Sequence, residues 1–377
     1  KENHLRRRQV SPALVGAILL SFLFCVTAPM VLMANQKYAA MVMDARSGEI
    51  LHSENANKRL HPASLTKMMT LYVVFQAVEN GEISLDKKVK ISRHAASEPP
   101  SKLYLRSGQK VKLRYLIRAA AVKSANDAAT ALGEAIEGSE AAFARRMNRT
   151  AKAMGMNRTT FKNAHGLTEP GHLSTARDMT ILGRHLFYDF PEYYNLFARK
   201  TTSAGSTKVR NTNRRFLSNY RGADGIKTGY TRAAGYNLVA SANRNGERII
   251  TTVFGGRSTT TRNAQVAKLM NLGFKKAPRN VKIQKPKPPS YTAIARASQV
   301  KSISKSLRPK IRPENNENVI LIATNEYRSD ILSALKQAQI EDKLVGQTSE
   351  VYTNISYNPE PKPTYKIETV DYPRTIS

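Results

Sequence analysis

The spacing of apolar residues changes twice between residues 38 and 275, and that double change constrains the fold more than any other feature of the chain. Residues 38–44 and 49–53 read as two strands around Ala45-Arg46-Ser47-Gly48, with Gly48 supplying the turn. From His61-Pro62-Ala63-Ser64 the period becomes helical: 64–79, 113–133, 140–154 and 175–188 are predicted helices. After Gly225 the period returns to that of strands, at 226–230, 236–243 and 248–255, with Asn245-Gly246 a strong hairpin signal between the last two. A closing helix is predicted over 263–275. Strands at both ends of a domain with helices between them imply an α+β fold, in which one antiparallel sheet is assembled from the two ends and a helical block is inserted.

The flanking segments differ in character from this domain. Lys1, Arg6, Arg7 and Arg8 precede an uncharged apolar run of 22 residues, 13–34. A basic segment before such a run is a secretory signal peptide or an N-terminal membrane anchor. The run is long enough to span a bilayer. Ala34 suits a cleavage position and Leu32 is large for the site two residues before it, so cleaved and anchored forms both stay open. Export, to the periplasm or the outer face of the cytoplasmic membrane, argues against a nucleic-acid partner for a chain of net charge +32. The single cysteine, Cys25, lies in the apolar run, which excludes an intramolecular disulfide and a thiolate zinc cluster. Residues 275–313 carry twelve Lys/Arg, no acid and six prolines, the composition of an extended basic linker. Residues 314–377 hold ten acids against six bases and read as a small module with a tail. The domain organisation is therefore 1–34, 35–275, 276–313 and 314–377.

Three short motifs could carry chemistry. Ser64-Leu65-Thr66-Lys67 places a hydroxyl and an amine one helical turn apart. Taken alone it is uninformative, because Ser84/Lys87, Ser107/Lys110, Ser298/Lys301, Ser302/Lys305 and Ser333/Lys336 share the spacing. Ser124-Ala125-Asn126 is equally common in type, with Ser53/Asn55, Ser241/Asn243 and Ser356/Asn358 as parallels. Lys227-Thr228-Gly229 occurs once, on a predicted strand, where Gly229 permits close backbone approach by a ligand. Specificity comes from the set in this order, which is that of penicillin-binding proteins and class A β-lactamases.

The wider text resembles the serine D-alanyl-D-alanine carboxypeptidases, the low-molecular-mass penicillin-binding proteins. The resemblance rests on Pro62–Met68, Lys123–Ala129, His165-Gly166-Leu167, Ser174–Met179, Asp224–Tyr230 and Ala234–Ala242, and covers about residues 37–275. Ala125 departs from a frequent glycine but keeps a small residue. The β-rich second domain and amphipathic anchor helix of many relatives are not recognisable. The resemblance implies a β-lactamase/transpeptidase-like fold, with an antiparallel sheet flanked by helices and a helical subdomain, and no cofactor. It implies that Ser64 attacks the penultimate D-Ala of a peptidoglycan stem pentapeptide, Lys67 takes its proton, and Ser124 relays a proton to the leaving amine. Asn126 would hold the substrate backbone, and Lys227, Thr228 and Arg262 its terminal carboxylate. The resemblance also implies an oxyanion hole made by the backbone N–H groups of Ser64 and Tyr230. β-Lactams would acylate Ser64.

Other groups read as structural. Thr66, Thr70 and Thr231 are filler, Asp178 is a helix anchor, and Glu169 is a nearby acid without a role. His165 and His172 lack a third ligand for a metal. No Glu-x-x-x-Asn stands where a class A β-lactamase places its deacylating glutamate, so efficient penicillin hydrolysis is not expected. A D,D-endopeptidase would use the same motifs. A non-enzymatic wall- or membrane-binding protein would use the basic surface instead.

Overall fold

The structure, a computed structural model, describes residues 37–289 and Tyr291. The apolar run 13–34, most of the basic stretch and the region 314–377 lie outside the described residues. Among the described residues no helix is long and apolar enough to cross a membrane.

Strands β1 (Ala39–Asp44) and β2 (Ile50–Glu54) form the first hairpin. A 3-10 turn, Ala63–Thr66, leads into α1 (Lys67–Glu79). The helical block continues through β3 (Lys88–Lys90), α2 (Arg93–Ser97), β4 (Lys110–Lys112) and α3 (Leu113–Arg118). A π turn, Ala119–Lys123, then precedes α4 (Asn126–Glu137), α5 (Glu140–Ala153), α6 (Ala176–Asp189) and α7 (Pro191–Ala198). A small hairpin, β5 (Thr201–Ala204) with β6 (Thr207–Arg210), and α8 (Arg214–Asn219) lead back to the sheet. There β7 (Ala223–Thr231), β8 (Gly235–Arg244) and β9 (Glu247–Gly256) form a meander, and α9 (Thr259–Lys276) closes the domain.

The five-stranded sheet has the order β2-β1-β9-β8-β7 and every pair is antiparallel. It is thus assembled from both ends of the domain, as the spacing predicts. Side chains alternate across it. Met41, Met43, Ile226, Val239, Ile250 and Phe254 join the larger core under the helical block. Val42, Leu238, Ala240, Ile249 and Val253 join a second core under Val266, Leu269 and Met270 of α9. At roughly 1.5–3 kcal/mol for each fully buried large aliphatic side chain, each face is strongly held. Helix α1 is buried on nearly all sides by Met68, Met69, Leu71, Tyr72, Val74 and Phe75, as suits the centre of a helical block.

Local departures from the predicted elements fall where the chain is irregular. The predicted helix 113–133 is broken at Ser124, a left-handed residue with φ 65° and ψ 34°. Ser64 lies in the 3-10 turn ahead of α1 rather than inside a helix starting at 64. Helix α9 begins four residues earlier than predicted because Ser258 and Thr261 form a reciprocal capping box. The hairpins β3–β4 and β5–β6 and helices α2, α7 and α8 are too short for periodicity to reveal. Beyond Lys276, Arg46 donates to the carbonyl of Pro278 (2.7 Å) and accepts at its own carbonyl from the Gln284 N–H (2.8 Å). The first residues of the basic stretch are therefore fastened to the β1–β2 turn.

Candidate active site

All three motifs meet at one cleft of about 340 Å³, lined among others by Ser64, Ser124, Asn126, Thr228, Gly229, Tyr230 and Arg262. Lys67 and Lys227 stand behind that lining, each essentially inaccessible to solvent.

Lys67 is held by three acceptors: Ser64 Oγ at 3.2 Å, Asn126 Oδ1 at 2.6 Å and the carbonyl of His165 at 2.7 Å. Three donors on one ammonium are thereby used, two of them to position it. Burial pushes the Lys67 amine well below the usual lysine range and the charge of Lys227 adds to this; Glu98, Asp127 and Glu140 act in the opposite direction. Lys227 donates to Ser124 Oγ at 2.8 Å and to the carbonyl of Thr228 at 2.9 Å. Burial, then the Arg262 guanidinium, bring Lys227 down to about 7. Each serine of the site therefore faces a buried lysine whose charged form is disfavoured.

Local backbone explains the placement. Ala63, with φ 50°, opens the turn that carries Ser64, and Ser124 is itself left-handed, so each serine sits at a left-handed non-glycine residue or directly after one. Such conformations cost on the order of 1 kcal/mol and concentrate at sites where surrounding structure enforces them. Gly229 admits the turn carrying Ser64 against β7: a Cβ there would lie 2.9 Å from the Pro62 carbonyl oxygen and 3.1 Å from the Ser64 nitrogen. The close approach predicted at Gly229 is thus made by the protein's own Ser64 turn. Gly166, at φ +87°, has no room for a side chain, since a Cβ would meet the Ala63 carbonyl oxygen at 1.9 Å. That contact fixes the preceding carbonyl, of His165, on Lys67.

The predicted Asn126 is already engaged by the protein. Its Oδ1 accepts from Lys67 and its amide donates to the Pro99 carbonyl at 2.8 Å, leaving one amide N–H. Thr228 Oγ1 donates to Thr212 Oγ1 at 2.7 Å. Arg262 is buried, donates to the Asn237 carbonyl and to Asn263 Oδ1, and is brought down to about 10 by burial. Tyr230 stays largely exposed and packs on Tyr236 with ring centroids 4.3 Å apart.

Several contributors carry no motif signal. Asn237 donates to the carbonyls of His61 and Pro62 and accepts from the Gly255 N–H, which ties the Ser64 turn to the sheet. His165 acts through its main-chain oxygen, which no side-chain pattern can announce. His165 and His172 do not face a common point: His172 shares a hydrogen bond with Thr66 Oγ1 and accepts at Nδ1 from the Lys162 N–H. Thr70 donates to the Ala164 carbonyl, and Asp178 accepts from the Arg158 N–H and the Thr159 hydroxyl, both structural duties.

A family model described as D-alanyl-D-alanine carboxypeptidase matches residues 26–258. The D-alanyl-D-alanine carboxypeptidase DacF of Bacillus subtilis is 38% identical over 283 residues, 71% of each chain. DacC of Escherichia coli, of the same description, is 38% identical over 281 residues, covering 71% of this chain and 70% of that one. Among solved structures, penicillin binding protein 5 from Haemophilus influenzae aligns with a TM-score of 0.60 at 38% identity, over 63% of this chain and 70% of that one. Penicillin-Binding Protein D2 from Listeria monocytogenes, in its cefotaxime-bound form, aligns with a TM-score of 0.58 at 36% identity, over 63% of this chain and 97% of that one. With the family model spanning more than half of the sequence, and two Ser–Lys pairs meeting at one cleft, the chain belongs to the D-alanyl-D-alanine carboxypeptidase family.

Proposed function

We propose that this chain is a serine D-alanyl-D-alanine carboxypeptidase that trims peptidoglycan stem pentapeptides outside the cytoplasm. The observation that carries this reading is the 3.2 Å contact between Ser64 Oγ and a buried Lys67 whose proton is loosely held. Lys67, neutral, takes the Ser64 proton as Oγ bonds to the carbonyl carbon of the penultimate D-Ala. The oxyanion that forms is received by the backbone N–H groups of Ser64 and Tyr230. The C–N bond then breaks as the proton taken up by Lys67 is relayed through Ser124 to the leaving amine, and D-alanine departs. Water completes the cycle by hydrolysing the Ser64 ester. Thr228, Arg262 and Lys227 hold the substrate's terminal carboxylate, and the remaining amide N–H of Asn126 holds its backbone.

A β-lactam presents its carbonyl and carboxylate in the same relation and acylates Ser64. The relatives solved with cefotaxime and ampicillin support this part of the reading. Residues 1–34 would direct export to the periplasm or the outer face of the cytoplasmic membrane, 276–313 would act as a basic linker, and 314–377 as a separate small module. The net charge of +32 would concentrate the enzyme on an anionic wall.

The test is release of D-alanine from a peptide ending in D-Ala-D-Ala by the full chain beside Ser64→Ala, with a labelled penicillin in parallel. Release and labelling by wild type, and neither by the variant, are the expected results. Folded wild type that neither releases D-alanine nor takes the label would overturn the reading.

A further inference from the structure

The strand pair β3–β4 carries a patch of charge that the proposed chemistry does not use. Its register sets Lys88 opposite Lys112 and Lys90 opposite Lys110, with Val89 opposite Val111 between them. Side chains alternate across a strand, so the two valines share one face and the four lysines the other. Val89 is buried in the core under the helical block, and Val111 packs against that core. The lysine face therefore points away from the core, and Lys88, Lys90 and Lys110 are exposed. Asp86 pairs with Lys112 at 3.1 Å and also with Arg114. Among the described residues no carboxylate forms an ion pair with Lys88, Lys90 or Lys110. Lys87, Arg93 and Arg106, close to them in the chain, are exposed as well.

Like charges placed directly opposite one another weaken a strand pair, and here two successive outward positions do so. Guarding exposed strand edges calls for charge, but not for like charges set opposite each other. A face that keeps this repulsion is complementary to an anion that relieves it. The position of the face says which anion. Pairing continues past Lys90 and Lys110: the Ile91 N–H donates to the Gln109 carbonyl at 2.8 Å, and the Gly108 N–H to the Ile91 carbonyl at 2.8 Å. The segment between, 92–107, runs to the cleft, where Pro100 and Ser101 form part of the wall. It is fixed there, since Asp127 accepts from the Leu103 and Leu105 N–H groups and the Asn126 N–H donates to the Ser101 carbonyl. Lys110 follows Ser101 by nine residues, so the two lie within about 30 Å of each other. A long anionic chain held at the cleft can therefore reach the lysines. A membrane-inserting surface would add apolar side chains to its cations, whereas the outer face of this hairpin offers lysine alone.

We infer that the outer face of β3–β4 is a docking surface for the polyanionic wall polymer whose stem peptides enter the cleft. The inference rests on the carboxypeptidase reading and extends it. One stem peptide occupies the Ser64 cleft while carboxylates elsewhere on the same polymer lie over Lys88, Lys90 and Lys110. The attraction raises the local concentration of polymer at the cleft and leaves the chemical step alone. It weakens with salt, because exposed charges are screened beyond about 8 Å at physiological ionic strength.

The test compares the full chain with a hairpin variant, Lys88→Gln with Lys90→Gln and Lys110→Gln, which leaves the Lys112–Asp86 pair in place. A control variant, Lys58→Gln with Lys152→Gln and Lys268→Gln, removes the same charge from exposed lysines elsewhere. Co-sedimentation with pentapeptide-rich peptidoglycan sacculi is followed across a salt series, beside phosphatidylglycerol vesicles. Release of D-alanine is measured on the sacculi and on a short soluble peptide. The hairpin variant binds sacculi roughly tenfold more weakly at low salt and releases D-alanine from them correspondingly more slowly. It keeps the wild-type rate on the short peptide and wild-type penicillin labelling, and the control variant matches wild type throughout. Removing opposed like charges leaves the hairpin at least as stable, so lost binding is not lost fold. Equal sacculus binding by wild type and the hairpin variant, an equal loss in the control, or a loss confined to vesicles would overturn the inference; the last would assign the face to a membrane. Binding is read without turnover. A wild type that binds sacculi through these lysines yet releases no D-alanine would therefore sink the carboxypeptidase reading and keep the docking surface.

Discussion

The two walls of the cleft are built in opposite ways. The helical wall, with Ser64, Lys67, Ser124 and Asn126, stands on broken backbone: a 3-10 turn, a π turn and two left-handed residues. The sheet wall, with Lys227, Thr228, Gly229 and Tyr230, is a regular strand whose register runs unbroken from Gly225 to Thr231 against β8. Strand pairing alone holds the backbone that carries Lys227 and Thr228, which are successive residues. Bringing a hydroxyl and an amine from one segment against a hydroxyl and an amide from another needs turns that helices do not supply, and these are held in place by packing. The difference teaches that the proposed proton chemistry depends on enforced irregularity, whereas the proposed carboxylate binding depends on ordinary strand geometry.

Substitutions can break or sharpen this contrast. The largest effect is expected from Lys67→Ala on the helical wall. Without the base, acylation by a labelled penicillin slows by roughly 10³-fold, measured as the rate of label incorporation. Ser124 comes next. Both Ser124→Ala and Ser124→Gly should lower D-alanine release by about 10²-fold, yet the glycine variant should be the more stable of the two by about 1 kcal/mol in denaturant unfolding, because glycine accepts φ 65° without strain. Equal stability would remove the claim that the helical wall stores strain. On the sheet wall, Gly229→Ala should leave the sheet intact by circular dichroism and reduce acylation by roughly tenfold, through its Cβ pressing on the Ser64 nitrogen.

The smallest effect at neutral pH belongs to His172, beneath the Ser64 turn. Burial holds this imidazole down to about 3, and the charges of His165, His61, Lys162 and Lys67 act in the same direction. Its Nδ1 already accepts from the Lys162 N–H, so a second ring proton has no partner. With the folded pKa below the unfolded value of about 6.5, its contribution to stability is complete above about pH 6.5 and is lost as pH falls towards 3. His172→Gln should match wild type at pH 7 and show a flatter loss of stability between pH 6 and 3, followed by denaturant midpoints.

Much of this was legible beforehand, and for identifiable reasons. The strands β1, β8 and β9 announce themselves because long alternating or largely apolar runs have few other solutions, and Asn245-Gly246 has positive φ at both residues, as its hairpin demands. The site residues were legible as a set in order, although no single motif was specific. The break at Ser124 was not, because an Ala-rich stretch has high helix propensity throughout and only contacts from elsewhere stop it, such as the Asn126 N–H donating to the Ser101 carbonyl at 2.7 Å. The supporting contacts of Asn237 and the His165 carbonyl were also hidden, since they join segments 98 to 176 residues apart.

By itself, then, the amino-acid order determined the α+β layout, the closing sheet and the choice of Ser64, Lys67, Ser124 and Lys227 as candidates, because periodicity, turn chemistry and residue type are local properties. That Lys227 faces Ser124 was decided only by the tertiary structure. Lys67 reaches Ser64 from three residues away, but Lys227 reaches Ser124 across 103 residues of chain. The loose hold of both lysines on their protons was decided there too. A pKa shift of that kind comes from desolvation and from one charge near another, and neither exists until the two walls close on a common interior.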